Sequence, residues 1–169
     1  MWLFTKNVKD LKLKTVSVIV DVQNIYYTTR QAFKKNFDYN AFWAEVTANR
    51  ELVSASAFAI DRGDEKQRQF QNILRAIGFD VRLKPYIQRA DGSSKGDWDV
   101  GIAVEALEQA PKSDVIILAS GDGDFDILAK TMIEKHGCEV IVYGVKSLTA
   151  NSLIAAASHY REIDSALLL

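Results

Sequence analysis

The chain has 169 residues, of which 48% are apolar and 25% are charged, and its formal net charge at pH 7 is −1. These values are typical of one globular domain, so we expect residues 1–169 to form a single domain, with residues 1–14 as an N-terminal extension. The near-zero net charge does not indicate a broadly basic nucleic-acid-binding surface, so any phosphate-binding surface must be local.

Membrane and secretory signals are missing from the sequence. No apolar run approaches the roughly 20 residues of a membrane helix, and the first residues lack a signal-peptide pattern. The single cysteine, Cys138, cannot form an internal disulfide, and we therefore expect a cytoplasmic protein.

Short β-rich segments alternate with amphipathic segments of helical length, a pattern typical of βαβ units. In chain order, strands are predicted at 16–21, 53–60, 79–86, 114–119, 139–143 and 160–163. Helices are predicted within 24–37, around 42–46 after an Asp38 or Asn40 cap, and at 62–77, 97–109, 122–136 and 147–158. Gly92, Ser93 and Ser94 indicate a loop, and Gly137 suits a left-handed helix end.

This alternation predicts the fold class but not the strand order. The segments 16–21 and 114–119 are almost entirely apolar, as expected for strands covered on both faces, whereas alternating charges place 79–86 at an edge. We expect an α/β fold, a three-layer α/β/α sandwich whose mainly parallel sheet has five or six strands and right-handed crossovers.

Acidic and polar residues follow the predicted central strands at the points where these strands end. In open parallel sheets the functional crevice lies beyond the C-terminal strand ends, where the following helices begin. We expect three clusters to converge there: Asp21 with Asn24, Asp99 with Lys95 and Asp97, and Asp122 with Ser120 and Asp124.

Asp99 is the most informative of these residues. At 100° per residue it shares a helix face with Ile102 and Ala106, a face expected to pack on the sheet. A buried ionised carboxylate is costly unless it is paired or binds a cation, and the helix dipole supplies only about 0.3–1 kcal/mol. Because the donors are oxygens with little histidine or cysteine nearby, the sequence indicates magnesium or manganese, which could activate water for phosphodiester cleavage.

Two other motifs can be rejected from their spacing. Asp122, Asp124 and Asp126 match the first ligand positions of a calcium loop, but Ile127 and Ile133 stand where glycine and glutamate are required. The glycines at 121 and 123 lack the third glycine of a dinucleotide-binding turn.

Three segments together resemble the NYN domain family, also called LabA-like, of the PIN-like nuclease superfamily. They are VIVDVQN (18–24), KGDWDVGIAVEAL (95–107) and DVIILASGDGDFDILAKTMIEKHGCEVIVYG (114–144), with a weaker match in SLIAAASHYREID (152–164). The resemblance covers nearly all of the chain after about residue 15, and the combination of SGDGDF with an upstream KGxxD and VDxxN is specific.

The resemblance implies a ribonuclease-like site that binds Mg²⁺ or Mn²⁺ and acts on single-stranded or structured RNA. The predicted metal ligands and catalytic residues are Asp21, Asp99, Asp122 and Asp124. The predicted substrate-binding residues are Asn24, Ser120 and Lys95. Glu105 stands where the family usually has aspartate, and because it lies about 120° from Asp99 on the helix wheel we assign it a supporting role.

Two rival functions stay open beside the nuclease: a non-catalytic nucleic-acid-binding or regulatory module that retains the acidic site, and a small-molecule phosphohydrolase. The apolar Trp2, Leu3 and Phe4 could pack against the core or against a partner chain, so a homodimer is also possible.

Surface and core roles are open for two further groups. Tyr26, Tyr27 and Phe37 are expected to pack in the core or an interface, with base stacking as the alternative. The cations Arg82, Lys84 and Arg89 could form a phosphate track or simply the charged face of an edge strand.

Overall fold

The structure is a computed structural model that describes residues 12–88, 90, 94–95 and 97–169. The first eleven residues, and Arg89, Gly92 and Ser93 of the sequence predictions, lie outside the described residues. The strands are β1 (Lys14–Asp21), β2 (Arg50–Asp61), β3 (Asp80–Pro85), β4 (Ile87–Gln88), β5 (Ser94–Lys95), β6 (Val115–Ala119), β7 (Glu139–Gly144) and β8 (His159–Glu162). The α-helices are α1 (Val22–Phe33), α2 (Tyr39–Thr47), α3 (Glu65–Ile77), α4 (Asp99–Gln109), α5 (Asp126–His136) and α6 (Asn151–Ala156).

Six strands form one parallel sheet in the order β3-β2-β1-β6-β7-β8, while β4 and β5 pair separately as a short antiparallel ribbon. The predicted α/β class and the edge position of the third strand are both confirmed. The chain builds outward from β1 to β3 and then returns to the other side of β1 to start β6. The order therefore reverses between β1 and β6, and this is where doubly wound sheets bind ligands.

Helices cover both faces of the sheet. One core layer joins β1 side chains such as Val18 to Phe42 of α2 and Leu74 of α3. The opposite layer joins Ile19 to Ile102 of α4 and Met132 of α5. Because alternate residues of a strand point to opposite faces, the continuous apolar run in β1 serves both layers.

Helix ends follow the capping residues in the sequence. The Asp38 carboxylate accepts a hydrogen bond from the Ala41 N–H at 3.0 Å, and the Asp64 carboxylate accepts one from the Gln67 N–H at 2.8 Å. Such bonds satisfy N–H groups that the helix leaves unpaired. Gly137 ends α5 with φ of 67°, which confirms the predicted left-handed cap.

Three predicted segments differ from the structure. The predicted helix at 122–136 begins as α5 only at Asp126, because residues 123–125 form a 3₁₀ turn that the Asp122 side chain caps. The last helix shortens to Asn151–Ala156 for a related reason, since a separate 3₁₀ turn occupies Lys146–Leu148. The third difference is β5, which includes Ser94 of the predicted loop. None of the helices among the described residues is long and apolar enough to span a membrane.

Two glycines with positive φ give a matched test of the packing. A Cβ on Gly78 (φ 136°) would lie 2.6 Å from the Trp43 ring, whereas one on Gly137 would meet no atom within 4 Å. We expect Gly137→Ala to cost about 1–2 kcal/mol, the conformational penalty alone. Gly78→Ala should cost about 3 kcal/mol, because overpacking is added. Urea unfolding measures both, and equal losses would contradict the packing described around Trp43.

Candidate active site

Asp21 ends β1 with its carboxylate almost wholly inside the protein, where only 9% of the residue is exposed. One carboxylate oxygen accepts the Asn24 N–H at 3.3 Å, which starts α1, and the other accepts the Ser120 hydroxyl at 3.1 Å. A β1 residue is thereby tied to the residue that follows β6.

Two more hydrogen bonds shape this junction, one within the loop after β6 and one between the two strand ends. The Ser120 hydroxyl oxygen accepts the Asp122 N–H at 3.2 Å, and the Gly121 N–H donates to Asn24 Oδ1 at 2.8 Å. The loop after β7 closes over this segment, since a Cβ on Gly121 would lie 2.8 Å from the Leu148 carbonyl oxygen. Only glycine fits there without displacing the backbone, so the loop that carries Asp122 is closely held.

Asp122 is positioned by a tight turn. Its Oδ1 accepts the Asp124 N–H at 2.9 Å, which caps the 3₁₀ turn over Gly123–Phe125. The turn places Asp124 on the exposed side and buries Phe125 in the core. A short sequence spacing therefore holds two carboxylates beside each other.

Asp99 reaches the site because Trp98 anchors the start of α4. The Trp98 indole N–H donates to the Ala59 carbonyl of β2 at 2.8 Å, and its ring packs edge-on against Phe58. Lys84 of β3 lies 4.6 Å from the Trp98 ring centre. These contacts fix the first turn of α4 on the sheet, so the Asp99 carboxylate is directed towards the ends of β1 and β6.

The three clusters predicted from the sequence converge. Carboxylate oxygens of Asp99, Asp122 and Asp124 all lie within 4.8 Å of one another, and we call these residues the carboxylate cluster. Asp21 is outside this set but shares a cleft with two of its members, Asp99 and Asp122. The acidic cleft has a volume of about 230 Å³ and is lined by Asp21, Gln23, Asn24, Tyr27, Thr28, Asp97, Asp99 and Asp122.

Burial, together with the crowding of like charges, raises the pKa of two of these groups. Burial raises the pKa of Asp21 from 3.8 to about 6, against the opposing effect of its two hydrogen bonds. Burial and the neighbouring charges of Asp122 and Asp97 raise the pKa of Asp99 from 3.8 to about 7. The site therefore holds ionised carboxylates only at a free-energy cost, which a bound cation would offset.

The donor set fits a hard divalent cation. Carboxylate oxygens at this spacing are the ligands that Mg²⁺ and Mn²⁺ prefer, and no sulfur or imidazole donor lines the cleft among the described residues.

Ser120 is fully buried, and its hydroxyl is hydrogen-bonded to both the Asp21 and Asp122 segments. The structure thus places Ser120 behind the two carboxylates, and its predicted contact with substrate stays a prediction. Asn24 does line the cleft, whereas the Lys95 side chain lies outside the described residues.

Neighbouring charges belong to structural contacts rather than to the cleft. Glu105 is buried, receives the Gln109 side-chain N–H at 3.1 Å and forms an ion pair with Arg82 at 3.5 Å. Arg82 also pairs with Asp80 at 2.7 Å. Both residues support the junction of β3 and α4, so Arg82 fits the edge-strand interpretation rather than a phosphate track.

Further residues line the cleft. Gln23, Tyr27 and Thr28 line it from α1, and the exposed Asp97 of the predicted clusters lines it from the segment before α4. Gln23 and Thr28 have no role predicted from the sequence, although spacing gives a signal, because Gln23 and Tyr27 are four residues apart and share a helix face. Phe37 packs in the core, as predicted, and is 5% exposed, whereas Tyr26 and Tyr27 are 53% and 50% exposed and lie outside the core. Interface packing or base stacking of these two tyrosines stays a prediction.

A larger open concavity of about 580 Å³ lies at the opposite edge of the sheet, beside the starts of β1 and β7. Its two acidic groups are occupied by structural partners. Asp114 accepts the Thr15 N–H at 2.9 Å, and Glu139 pairs with Lys14 at 3.3 Å. The unbalanced negative charge of the acidic cleft has no equivalent among the described residues there.

The parallel six-stranded sheet with helices on both faces is an α/β fold of the kind found in PIN-like NYN domains. The chain belongs to the NYN domain family, a PIN-like nuclease family, which it matches over residues 15–164.

Two individual proteins are also similar to this chain. The chain is 25% identical over 161 residues to the low amplitude and bright protein LabA of Synechococcus elongatus, covering 88% of this chain and 83% of LabA. A crystal structure of a protein of unknown function from Vibrio parahaemolyticus is 53% identical, with a TM-score of 0.89 over 93% of this chain and 97% of that one.

The raised pKa values of Asp21 and Asp99 predict how the stability of the protein depends on pH. Folded Asp21 has a pKa of about 6 against 3.8 for its ordinary value. The folded protein thus binds more protons between these values, and its free energy of unfolding falls as pH rises through the window. The loss from Asp21 is at most about 3 kcal/mol, and Asp99, with a pKa of about 7, extends it upward.

Asp21→Asn removes one of these titrations. In EDTA we expect it to be more stable than wild type near about pH 8 and similar near about pH 4. Urea unfolding at both pH values measures this, with Asp64→Asn, which retains a good helix cap, as the control. A wild-type protein more stable than Asp21→Asn at the higher pH would contradict the cost assigned to the buried charge.

Proposed function

We propose that this protein is a metal-dependent ribonuclease that hydrolyses RNA phosphodiester bonds at the acidic cleft. The observation that carries the proposal is the carboxylate cluster, which lies at the sheet switch point beside Asp21. Membership of a nuclease family supports the reaction class. A divalent cation also explains why this fold tolerates so much uncompensated negative charge.

The cluster residues Asp99, Asp122 and Asp124 would hold Mg²⁺ or Mn²⁺, with Asp21 completing the site from β1. When bound, such an ion lowers the pKa of water and neutralises charge that develops on the phosphate. Without it, an RNA phosphate entering the cleft would meet uncompensated negative charge, so placement of the reacting phosphate at the carboxylates depends on the ion, whereas contacts outside the cleft do not.

The protein's own residues orient these groups. Ser120 holds the Asp21 and Asp122 segments at one spacing through its two hydrogen bonds. Asn24 Oδ1 is occupied by the Gly121 N–H, which leaves the amide N–H groups to donate to a phosphate oxygen or to water.

A second candidate is a non-catalytic nucleic-acid-binding or regulatory module. The formal net charge of −1 favours the regulatory form of this module and a small-molecule phosphohydrolase, because proteins that bind RNA chains commonly present basic surface. A small-molecule phosphohydrolase would share the same site and would act on nucleotides while leaving RNA chains intact.

Cleavage assays separate these functions. We expect labelled RNA to be cut in Mn²⁺ or Mg²⁺ and not in EDTA. Asp122→Asn should lower the rate by about a hundredfold or more, because a charged metal ligand is lost while asparagine can still cap the turn.

Asp126→Asn is the matched control, since Asp126 starts α5 outside the carboxylate cluster, and we expect it to retain near-wild-type activity. Intact RNA under all conditions with a folded protein would rule out the nuclease. Turnover of nucleotides alone would favour the phosphohydrolase.

Metal binding has a readout that is independent of activity. We expect Mn²⁺ to raise the melting temperature of the wild type, because a ligand that binds only the folded state stabilises it. In EDTA, Asp99→Asn should melt higher than wild type, since it removes one repelling charge, and it should respond less to Mn²⁺. Differential scanning calorimetry measures both effects, and an equal Mn²⁺ response in the two proteins would argue against the assigned ligands.

A further inference from the structure

Two tyrosines and an arginine form a continuous surface that leads out of the acidic cleft. Tyr27 lines the cleft itself. The Arg62 guanidinium donates to the Tyr27 hydroxyl at 3.4 Å, and its central carbon lies 4.7 Å from the centre of the Tyr86 ring. We call Tyr27, Arg62 and Tyr86 the tyrosine–arginine strip.

The strip is fixed to the sheet rather than carried on a free loop. Arg62 follows the last residue of β2, and its backbone N–H donates to the Gln67 side chain at 2.7 Å. The Tyr86 N–H donates to the Asp61 carbonyl at 3.1 Å. Both residues are thus tied to the C-terminal end of β2, which pairs directly with β1, the strand that ends in Asp21.

The exposed rings and the cation have the chemistry of a nucleotide-binding surface. Tyr27 is 50% exposed and Tyr86 is 39% exposed, so each offers aromatic surface that the core does not use. Among the described residues, Arg62 is in no salt bridge, whereas Arg82 and Arg161 are paired with acids. Aromatic rings stack on bases, and a planar guanidinium binds phosphate or stacks in turn.

We propose that the tyrosine–arginine strip is a nucleotide-binding subsite that stacks on unpaired bases next to the cleaved bond. This inference rests on the proposed nuclease function, to which it adds a second contact surface for the substrate. Base faces are available for stacking only when the bases are unpaired, since in a duplex they are stacked on each other. The strip begins inside the cleft, so a strand whose phosphate lies at the carboxylate cluster would pass over Tyr27 towards Tyr86.

Binding and cleavage are tested with a short labelled oligouridine. Fluorescence anisotropy in EDTA measures binding without cleavage, and initial rates in Mn²⁺ give kcat and KM. We expect Tyr86→Ala and Arg62→Ala to weaken binding and raise KM by about fivefold or more, the range for losing one stacked base. The value of kcat should change by less than about twofold, because the groups lie outside the carboxylate cluster.

Three variants separate stacking from general effects. Tyr86→Phe keeps the ring and should bind like wild type. Phe33→Ala removes an aromatic residue of similar exposure, 38%, at the far end of α1, and Lys112→Ala removes a cation at the opposite edge of the sheet. Both controls should leave binding unchanged.

The two proposals fail in different ways. Absence of cleavage, with binding that still depends on Tyr86 and prefers single strands, would sink the nuclease and keep the strip. The strip is overturned by undetectable binding in EDTA, by equal binding of a duplex of the same strand, or by Tyr86→Ala and Arg62→Ala proteins that bind like wild type.

Discussion

Mutual repulsion among carboxylates at one edge of the sheet is the constraint on which the rest of the site depends. Asp99, Asp122 and Asp124 place oxygens within 4.8 Å of one another, and Asp21 shares their cleft. Burial and neighbouring charge raise the pKa of Asp21 to about 6 and that of Asp99 to about 7. A fold that served stability alone would not collect these groups, because each costs free energy when ionised. The arrangement is physically reasonable if a cation occupies it during function.

The scaffold holds these charges together through its most rigid parts. β1 and β6 are adjacent central strands, and the order of the sheet reverses between them. Ser120 and Asn24 then join the two strand ends with hydrogen bonds, while Trp98 fixes the third element, α4, on β2. Repulsion between the charges is therefore opposed by these hydrogen bonds and by the packing of Trp98. This division between charged residues and their supports is typical of preorganised sites.

Much of this arrangement is predictable from the sequence, for a definite reason. Residues that end parallel strands meet at one edge, so the convergence of Asp21, Asp99 and Asp122 follows from the fold class without the strand order. Their supports do not follow in the same way. The Ser120 hydrogen bonds and the contact between Trp98 and Ala59 join residues far apart in the chain, and no local pattern specifies them. The exposure of Tyr27 likewise depends on which faces of α1 the sheet covers. The helical period alone does not tell whether the adjacent residues Tyr26 and Tyr27 lie on a covered face.

Function in this account follows from the need to neutralise charge, which links metal, substrate and fold. An acidic cleft repels RNA unless a cation is present, and the tyrosine–arginine strip supplies contacts that do not depend on that cation. The most direct test of the central claim is anomalous diffraction from crystals grown with Mn²⁺. The account predicts an anomalous peak within about 2–2.5 Å of oxygens of Asp99 and Asp122. An acidic cleft that stays empty at saturating Mn²⁺, with all its carboxylates ordered, would contradict it.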